Sequence, residues 1–456
     1  MNFSAIRYRS IQKISSPVLT AMARRNLARV AALFIGAHMQ TEQKAAANNP
    51  VNIVYLPKAG HTEDIMACFQ GHERYGIHTL DRKLVKAVYA AFLPKEMDDN
   101  NYRSTDPKIQ AQKEKLRAFW VRVLEYLRLS MRFDAMFTGN FSYASEQELA
   151  SACTQLNIPF IALHKECMKT PGLRPFYVEV YKTRKVPFQG RAICNYNLME
   201  SGIQAEAGVF DPEKILVVGM PRLSRLHWQR ESLARFGGRA GRPTVLFFSF
   251  NHKAGLPVLG RKLPGSYETL KNDLEKLNVE MASKACHHAM VRLARENPEI
   301  QVIIKTKGDP KSKRFMAGLL GENPDFPHNL ELVEGGDLLG LLNRATVVAS
   351  FNSTTLFEAL ALNKPVVIPW FYEIPDPSLK PYTLAMDDAV SYAKSEDEFL
   401  EMMKEKALSP GHADSAGELP VEAKKLLEKW CGNPDGKAGD RVRDILDSFF
   451  WESSKR

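Results

Sequence analysis

The stretch Val347-Val348-Ala349-Ser350-Phe351-Asn352-Ser353-Thr354-Thr355-Leu356-Phe357-Glu358-Ala359-Leu360 holds residue types and a spacing suited to binding a diphosphate. Apolar residues through Ser350 read as a strand, a hydroxyl-rich turn follows, and apolar residues at helical spacing begin near Thr354. A helix start offers unpaired backbone N–H groups and the positive end of its dipole, which favour phosphate. Ser353, Thr354 and Thr355 add hydroxyl donors without a competing charge. Glu358, one turn inside the helix, could accept both hydroxyls of a ribose. The same pattern also fits Ser353 as a simple N-cap and Glu358 as a first-turn acid complementing the dipole. Spacing alone leaves both readings open. The P-loop pattern GxxxxGK followed by Ser or Thr is missing, as is GxGxxG after a strand, which argues against a P-loop NTPase and a dinucleotide fold.

Such a turn needs strands and helices to hold it, and the hydropathy pattern supplies them twice. In the first half, strands are predicted at Val51–Leu56, Ala135–Thr138 and Pro159–Leu163, with helices over 108–132 and Glu146–Leu156. A second cycle starts with the apolar run Thr244–Phe248 and a long helix over Leu274–Asn297. Strands at Val302–Ile304, Leu330–Leu332, Val347–Ser350 and Pro365–Pro369 follow, with helices at Leu338–Asn343 and Thr354–Leu362 between them. Strands separated by helices pair in parallel through crossovers, so the expected fold class is α/β with two Rossmann-like domains. Gly219, Pro221, Gly237, Gly238, Gly241 and Pro243 mark 219–243 as a hinge.

Composition narrows the partners. Lys and Arg total 62 against 52 for Asp and Glu, a formal net charge of +10 that favours anionic ligands. No basic stripe interleaved with aromatics marks a nucleic-acid interface. No run of about 18 apolar residues marks a membrane span. The cysteines form no CxxC pair, which argues against a zinc ribbon or a disulfide framework. No acidic residue precedes Glu42, whereas Arg7, Arg9, Lys13, Arg24, Arg25 and Arg29 do. Residues 17–40 therefore read as one basic amphipathic helix suited to an anionic membrane surface, to packing on the protein itself, or to targeting. Thr41–Pro50 reads as a linker. His287 and His288 lie mid-helix, where adjacent side chains diverge by about 100°, so they read as packing rather than as metal ligands.

The run Ser-x-Asn-Ser-Thr-Thr-Leu-x-Glu-Ala-Leu at 350–360, followed by Asn363-Lys364-Pro365-Val366-Val367, resembles the donor motif of GT-B glycosyltransferases. The resemblance is to the bacterial capsule and surface-polysaccharide group, with its relatives the CDP-glycerol glycerophosphotransferases. Asn157–Glu166, Ile215–Arg222, Ile303–Lys307 and Asn433–Val442 resemble further segments of the family over roughly 134–445. One departure stands out: Lys305-Thr306-Lys307-Gly308-Asp309-Pro310 occupies the place of the family's Lys-x-His-Pro segment.

The resemblance implies a GT-B architecture in which two Rossmann-like domains face an interdomain cleft, preceded here by a basic helical extension. The expected boundaries are 1–50 for extension and linker, 51–225 for the acceptor-side domain, 226–430 for the nucleotide-donor domain, and 431–456 for a C-terminal helix packing back across them. It implies transfer of a sugar from a nucleotide-sugar donor to a surface polysaccharide or lipid-linked glycan, with no cofactor and no divalent metal. Donor contacts are then expected from Ser353, Thr354, Thr355, Glu358, Lys305, Lys307, Arg222 and Asn251. A general base from the first domain is also needed, and His61, Glu63, Asp64 and Glu166 are the candidates. The place implied is the cytoplasm, at the inner membrane face if residues 17–40 dock there. Alternatives on the same fold are a CDP-alcohol phosphotransferase, a nucleotide-sugar epimerase, and a non-catalytic nucleotide- or glycan-binding protein.

Overall fold

The computed structural model describes residues 15–97, 102–236, 241–256, 267–321, 325–409 and 417–454. The chain divides into two units. The first comprises the chain up to Cys167, Pro175–Arg222 and everything from Lys437 onward; the second comprises Met168–Arg174 and Leu223–Gly436.

Seven strands form the sheet of the first unit: β1 (Gln40–Gln43), β2 (Val51–Tyr55), β3 (Tyr75–Thr79), β4 (Ala135–Thr138), β5 (Phe160–Leu163), β6 (Ala192–Asn195) and β7 (Ile215–Val217). Their order is β1-β3-β2-β4-β5-β6-β7, parallel throughout except that β1 runs antiparallel to β3. β4, β5 and β6 are buried at every position, as expected for parallel strands covered on both faces. The pleat sorts side chains by period two. Ile53, Tyr55, Phe137, Ile161 and Leu163 enter one apolar cluster, while Val54, Leu56, Met136, Phe160 and Ala162 enter the other.

Residues 15–50 are not an appendage. Residues 15–24 and Ala28–His38 are two helices, broken where Asn26 adopts a φ of 58°, not one helix over 17–40. They send Leu19, Ala23, Ala31, Ala32 and Ile35 into the same cluster as Leu116, Trp120 and Leu124 of the helix Pro107–Ser130. Part of the expected linker is strand β1, whose Gln-Thr-Glu-Gln sequence carries no apolar signal because it forms a polar sheet edge. The last helix, Ala438–Ser454, lies against the helix His61–Phe69 of the same unit, with Val442 and Leu446 in the apolar cluster there.

The second unit holds β8 (Thr244–Phe248), β9 (Gln301–Thr306), β10 (Leu330–Glu334), β11 (Val347–Ala349), β12 (Val366–Pro369) and β13 (Ser391–Ala393). All pair in parallel in the order β10-β9-β8-β11-β12-β13. The helix expected over Leu274–Asn297 is split into Glu268–Lys276 and Glu280–Glu296. Most of the expected hinge is a helix, Arg222–Phe236, while Gly237 and Gly238 lie outside the described residues. Two parallel-sheet α/β units are the fold class that the sequence implies. All six cysteines are buried, and none of them forms a disulfide.

Candidate functional site

Open parallel sheets bind ligands outside the carboxyl ends of their strands, where successive connections leave in opposite directions. Each sheet has one such point. In the second unit the chain runs outward from β8 to β9 and β10, then returns to β11 on the other side of β8. The crevice therefore falls between the loops that follow β8 and β11.

These loops interlock. Ser350 Oγ donates to the Phe248 carbonyl at 3.0 Å, tying the two strand ends together. Asn352 Nδ2 donates to the Ala254 carbonyl at 2.9 Å, and its Oδ1 accepts from the Leu384 amide at 2.9 Å. The close approach has a backbone cost: Asn352 and Ala254 have φ of 49° and 29°, values that side chains disfavour. At Gly255, φ is 73° and a Cβ would lie 2.7 Å from the Asn352 carbonyl, so glycine is required. Asn251 builds the loop by accepting from the Lys253 and Ala254 amides at 2.9 and 3.1 Å. The Lys253 ammonium caps the helix Glu268–Lys276, donating to the Glu275 and Leu277 carbonyls at 2.8 Å each.

The hydroxyl turn sits on this frame. Ser353 Oγ and Thr355 Oγ1 lie 2.8 Å apart, and Ser353, Thr354 and Thr355 are all half-buried. The following helix is short, Thr355–Ala361, and Glu358 is buried within it. Lys305, at the end of β9, is turned toward its own backbone, its ammonium donating to the Thr306 carbonyl at 2.7 Å, and burial lowers its pKa. Lys307 is exposed in the loop beyond. That loop leads into the helix Pro310–Leu320, capped by Asp309, which accepts from the Lys311 and Ser312 amides at 2.9 and 3.1 Å. The structure thus gathers Asn251, Ser353, Thr354, Thr355 and Glu358 at one edge.

His287 is a contributor that its position in sequence does not reveal. Buried among Phe247, Phe250 and Phe315, it bridges Ser249 Oγ at 2.8 Å and the Ser283 carbonyl at 2.7 Å. Burial pushes its pKa down to about 4, so it is a neutral brace for the loop after β8.

In the first unit the corresponding point lies between β2 and β4. Glu166, beyond β5, is exposed. Its carboxylate accepts from Asn140 Nδ2 at 3.0 Å and lies 3.5 Å from Lys58 Nζ and 3.8 Å from Lys165 Nζ. Tyr143 joins them, its ring stacked under Arg82 and Lys58 at 4.0 and 4.6 Å from the centroid. Burial lowers the pKa of Lys165. Lys58, Asn140 and Tyr143 are absent from the expected site, since they come from the ends of β2 and β4, two different strands from the one that carries Glu166.

Three expected roles change. His61 is not an exposed loop base: it opens the helix His61–Phe69 and is fully buried. Its ring meets Tyr55 edge-on at 5.9 Å, and a Cβ at Gly139 would lie 2.9 Å from its own Cβ. Neither ring nitrogen has a hydrogen-bond partner; the Phe137 carbonyl approaches without reaching bonding geometry. Burial pushes its pKa down to about 3, so the imidazole is neutral. Asp64 is not a reachable base either. Fully buried, it accepts from the Arg222 guanidinium at 3.2 Å, from the Arg222 amide at 3.1 Å, and from the Tyr196 hydroxyl. Burial raises its pKa against the pull of Arg222. Arg222, expected on a donor phosphate, is committed to Asp64 and to Tyr196 Oη at 3.0 Å in the first unit. Glu63 is exposed in the first helical turn. His164 is buried against Glu200 at 3.1 Å.

Residues 277–371 match the model of a family described as capsule polysaccharide biosynthesis protein. The capsule-type resemblance holds over this segment. It runs from the helix Glu280–Glu296 through the hydroxyl turn and Glu358 to the loop after β12. No curated protein matches the sequence. Among solved structures, the wall teichoic acid polymerase TagF covers 99% of this chain and is itself covered completely (100%), with 10% identity and a TM-score of 0.49. A putative UDP-N-acetylglucosamine 2-epimerase from Listeria monocytogenes covers 88% of this chain and 97% of its own, with 10% identity and a TM-score of 0.45. The UDP-GlcNAc 2-epimerase from Neisseria meningitidis, bound to UDP-GlcNAc, covers 87% and 99%, with 12% identity and a TM-score of 0.45. At such identities a shared activity does not follow.

Proposed function

We propose that this protein is a transferase of surface-polysaccharide assembly that moves a sugar from a nucleotide-sugar donor to a glycan or lipid-linked glycan, without a metal ion or cofactor. The observation that carries this reading is the hydroxyl turn at 353–355, which stands at the switch point of the second sheet, inside the capsule-family segment. There Ser353, Thr354 and Thr355 take up the charge that develops on the departing nucleoside diphosphate. Glu358 receives the ribose hydroxyls, and Asn251 positions the opposing loop. Lys305 and Lys307 supply positive charge at the neighbouring strand end.

At the acceptor edge, Glu166 is the general base. It accepts the proton of the acceptor hydroxyl as that oxygen bonds to the anomeric carbon and the bond from that carbon to the diphosphate oxygen breaks. Asn140, Lys58 and Lys165 fix its carboxylate, and Glu63 is exposed in the first turn of the helix that follows Lys58. Attack on phosphorus of a CDP-alcohol, with loss of CMP, would use the same two edges.

The partner surface of the acceptor is an anionic bilayer. The helix Ala28–His38 is apolar apart from Arg29 and His38, yet only one side is buried, leaving the preceding Leu27 and its own Val30 and Leu33 exposed by 44%, 45% and 60%. No ion pair among the described residues reaches Arg24, Arg25 or Arg29. With Lys83 and Lys86, Arg24 and Arg25 line a groove of about 730 Å³. No helix among the described residues is long and apolar enough to cross a membrane, so this face would lie on one, with the enzyme held at the cytoplasmic side.

The test is product formation from nucleotide-sugar panels by wild type, Glu166→Gln and His61→Asn. The proposal expects Glu166→Gln to lose at least about a hundredfold in kcat while His61→Asn keeps most of it. The opposite pattern would make His61 the base, and release of CMP from CDP-glycerol would establish the phosphotransferase reading.

A further inference from the structure

A cavity of about 370 Å³ is lined by the helices Glu280–Glu296 and Pro310–Leu320 of the second unit, with His252 of the loop after β8 in its wall. These helices follow β8 and β9, whereas the hydroxyl turn follows β11 on the other side of β8, and no residue of that turn lines the cavity. The volume is within the range of small-molecule sites. Arg314, Phe315, Gly318 and Leu319 line it from positions i, i+1, i+4 and i+5 of the second helix, which share one face.

Gly318 is the gap in that face. A Cβ there would meet no packing neighbour within 4 Å, and the residue lies in ordinary helix. Neither packing nor backbone conformation calls for glycine, which weakens a helix relative to alanine. The missing side chain keeps the cavity open. The charge of the wall is positive. Its one acid, Glu280, is paired with Lys284 at 2.7 Å, whereas no ion pair or hydrogen bond among the described residues reaches the Arg314 guanidinium or the His252 ring. A guanidinium whose donors are untaken holds a phosphate in a forked geometry. Phe315 and Leu319 add apolar surface for a carbon skeleton.

The same walls hold the loop after β8. Ser283, which lines the cavity, donates through Oγ to the Phe250 carbonyl at 2.6 Å. Phe315 meets the His287 ring edge-on with centroids 5.5 Å apart, and His287 in turn holds Ser249 Oγ at 2.8 Å. We propose that this cavity is a second ligand site, that it takes an organic phosphate of about the size of a sugar phosphate, and that its occupation holds the loop after β8. Arg314 binds the phosphate, His252 adds charge, and the carbon skeleton lies on Phe315 and Leu319. The consequence for nucleotide binding rests on the transferase reading above, in which that loop carries Asn251: a held loop is preorganised and binds nucleotide more tightly.

Calorimetric titration of the full-length protein with glucose 6-phosphate, inorganic phosphate and glucose tests the site directly. Glucose 6-phosphate is expected to bind about tenfold or more tightly than either of the others. Gly318→Leu, which fills the open space, abolishes this binding without lowering the melting temperature, and Arg314→Gln weakens it about tenfold or more. Ser353→Ala with Thr355→Val leaves it unchanged. Hydrogen exchange of residues 249–256 slows when glucose 6-phosphate is bound. Nucleotide affinity then rises about threefold or more, with the same factor in the reverse direction. Failure of glucose 6-phosphate to bind, or binding that survives both Gly318→Leu and Arg314→Gln, overturns the site. Loss of binding in Ser353→Ala with Thr355→Val also overturns it, since the phosphate would then sit at the turn. Binding without slower exchange overturns the hold on the loop. Slower exchange with unchanged nucleotide affinity upholds the site and overturns the donor reading of that loop.

Discussion

Replacing Arg222 with Met strands a carboxylate inside the first unit, and the consequences can be worked out. Asp64 is fully buried, whereas the Arg222 side chain is 20% exposed; its guanidinium donates to Asp64 at 3.2 Å, and the Arg222 backbone amide donates at 3.1 Å. Arg222→Met keeps the amide bond and the Tyr196 hydroxyl but removes the countercharge. Breaking a buried pair by removing one partner costs about 3–5 kcal/mol, which at roughly 2–4 °C per kcal/mol lowers the melting temperature of this unit by about 10 °C. The loss must depend on pH. Asp64 already has a pKa raised by burial, and losing Arg222 raises it further. A raised carboxyl pKa makes the native state take up a proton more readily than the unfolded chain, so stability is lost as pH rises through the native value. Denaturation of Arg222→Met from pH 8 to pH 5 therefore shows a penalty largest at pH 8 that shrinks toward pH 5. Asp64→Asn with Arg222→Met removes both charges and recovers most of the stability at pH 8. A pH-independent penalty, or one below about 1 kcal/mol, would refute the buried-pair reasoning. If the folded double variant loses nucleotide affinity, Arg222 does reach the donor.

Other consequences follow from the same contacts. Gly139→Ala drives a methyl to 2.9 Å from the His61 Cβ and is expected to cost about 1–3 kcal/mol in urea titration. Gly255→Ala forces both a 2.7 Å contact with the Asn352 carbonyl and a φ of 73°, so nucleotide affinity should fall while far-ultraviolet dichroism is retained. Burial depresses His61 to about 3 and His227 and His287 to about 4, so stability is greatest above pH 6.5 and declines as pH falls toward 4. His61→Leu should make that slope shallower by up to one proton, about 1.4 kcal/mol per pH unit. Sedimentation with phosphatidylglycerol–phosphatidylethanolamine vesicles should capture the protein at low salt, and Val30→Asp with Leu33→Asp should weaken capture by roughly tenfold or more.

Much of the second sheet is legible in the sequence because its strands are buried on both faces and read as uninterrupted apolar runs, Thr244–Phe248 and Val366–Pro369 among them. β3 escapes notice because Tyr-Gly-Ile-His-Thr mixes glycine and histidine into a strand, and β13 because it is three residues long. The breaks at Asn26 and at Leu277–Val279 contain neither glycine nor proline. Asn26 enters the left-handed region, and Asn278 caps the next helix through the Glu280 amide at 3.3 Å. Conversely, the glycines and prolines of 219–243 suggest a hinge where the helix Arg222–Phe236 forms. Ser353, Thr355 and Glu358 lie within one short segment, so their local pattern suffices to group them. Lys58, Asn140 and Glu166 meet only through the order of the strands, and spacing carries no trace of it. Burial is the other hidden variable: His61 and Asp64 have the residue types of acid–base catalysts, and the apolar cluster around them removes both from solvent.

The most direct test of the donor site at the second sheet is nucleotide-induced stabilisation of wild type and of Ser353→Ala with Thr355→Val. Saturating UDP, CDP, CMP, GDP or dTDP must raise the melting temperature if the native state binds it. The expected result is that one of them stabilises the wild type, and that its affinity drops by about tenfold or more in the double variant. Equal stabilisation of both proteins would place the diphosphate elsewhere and contradict the account.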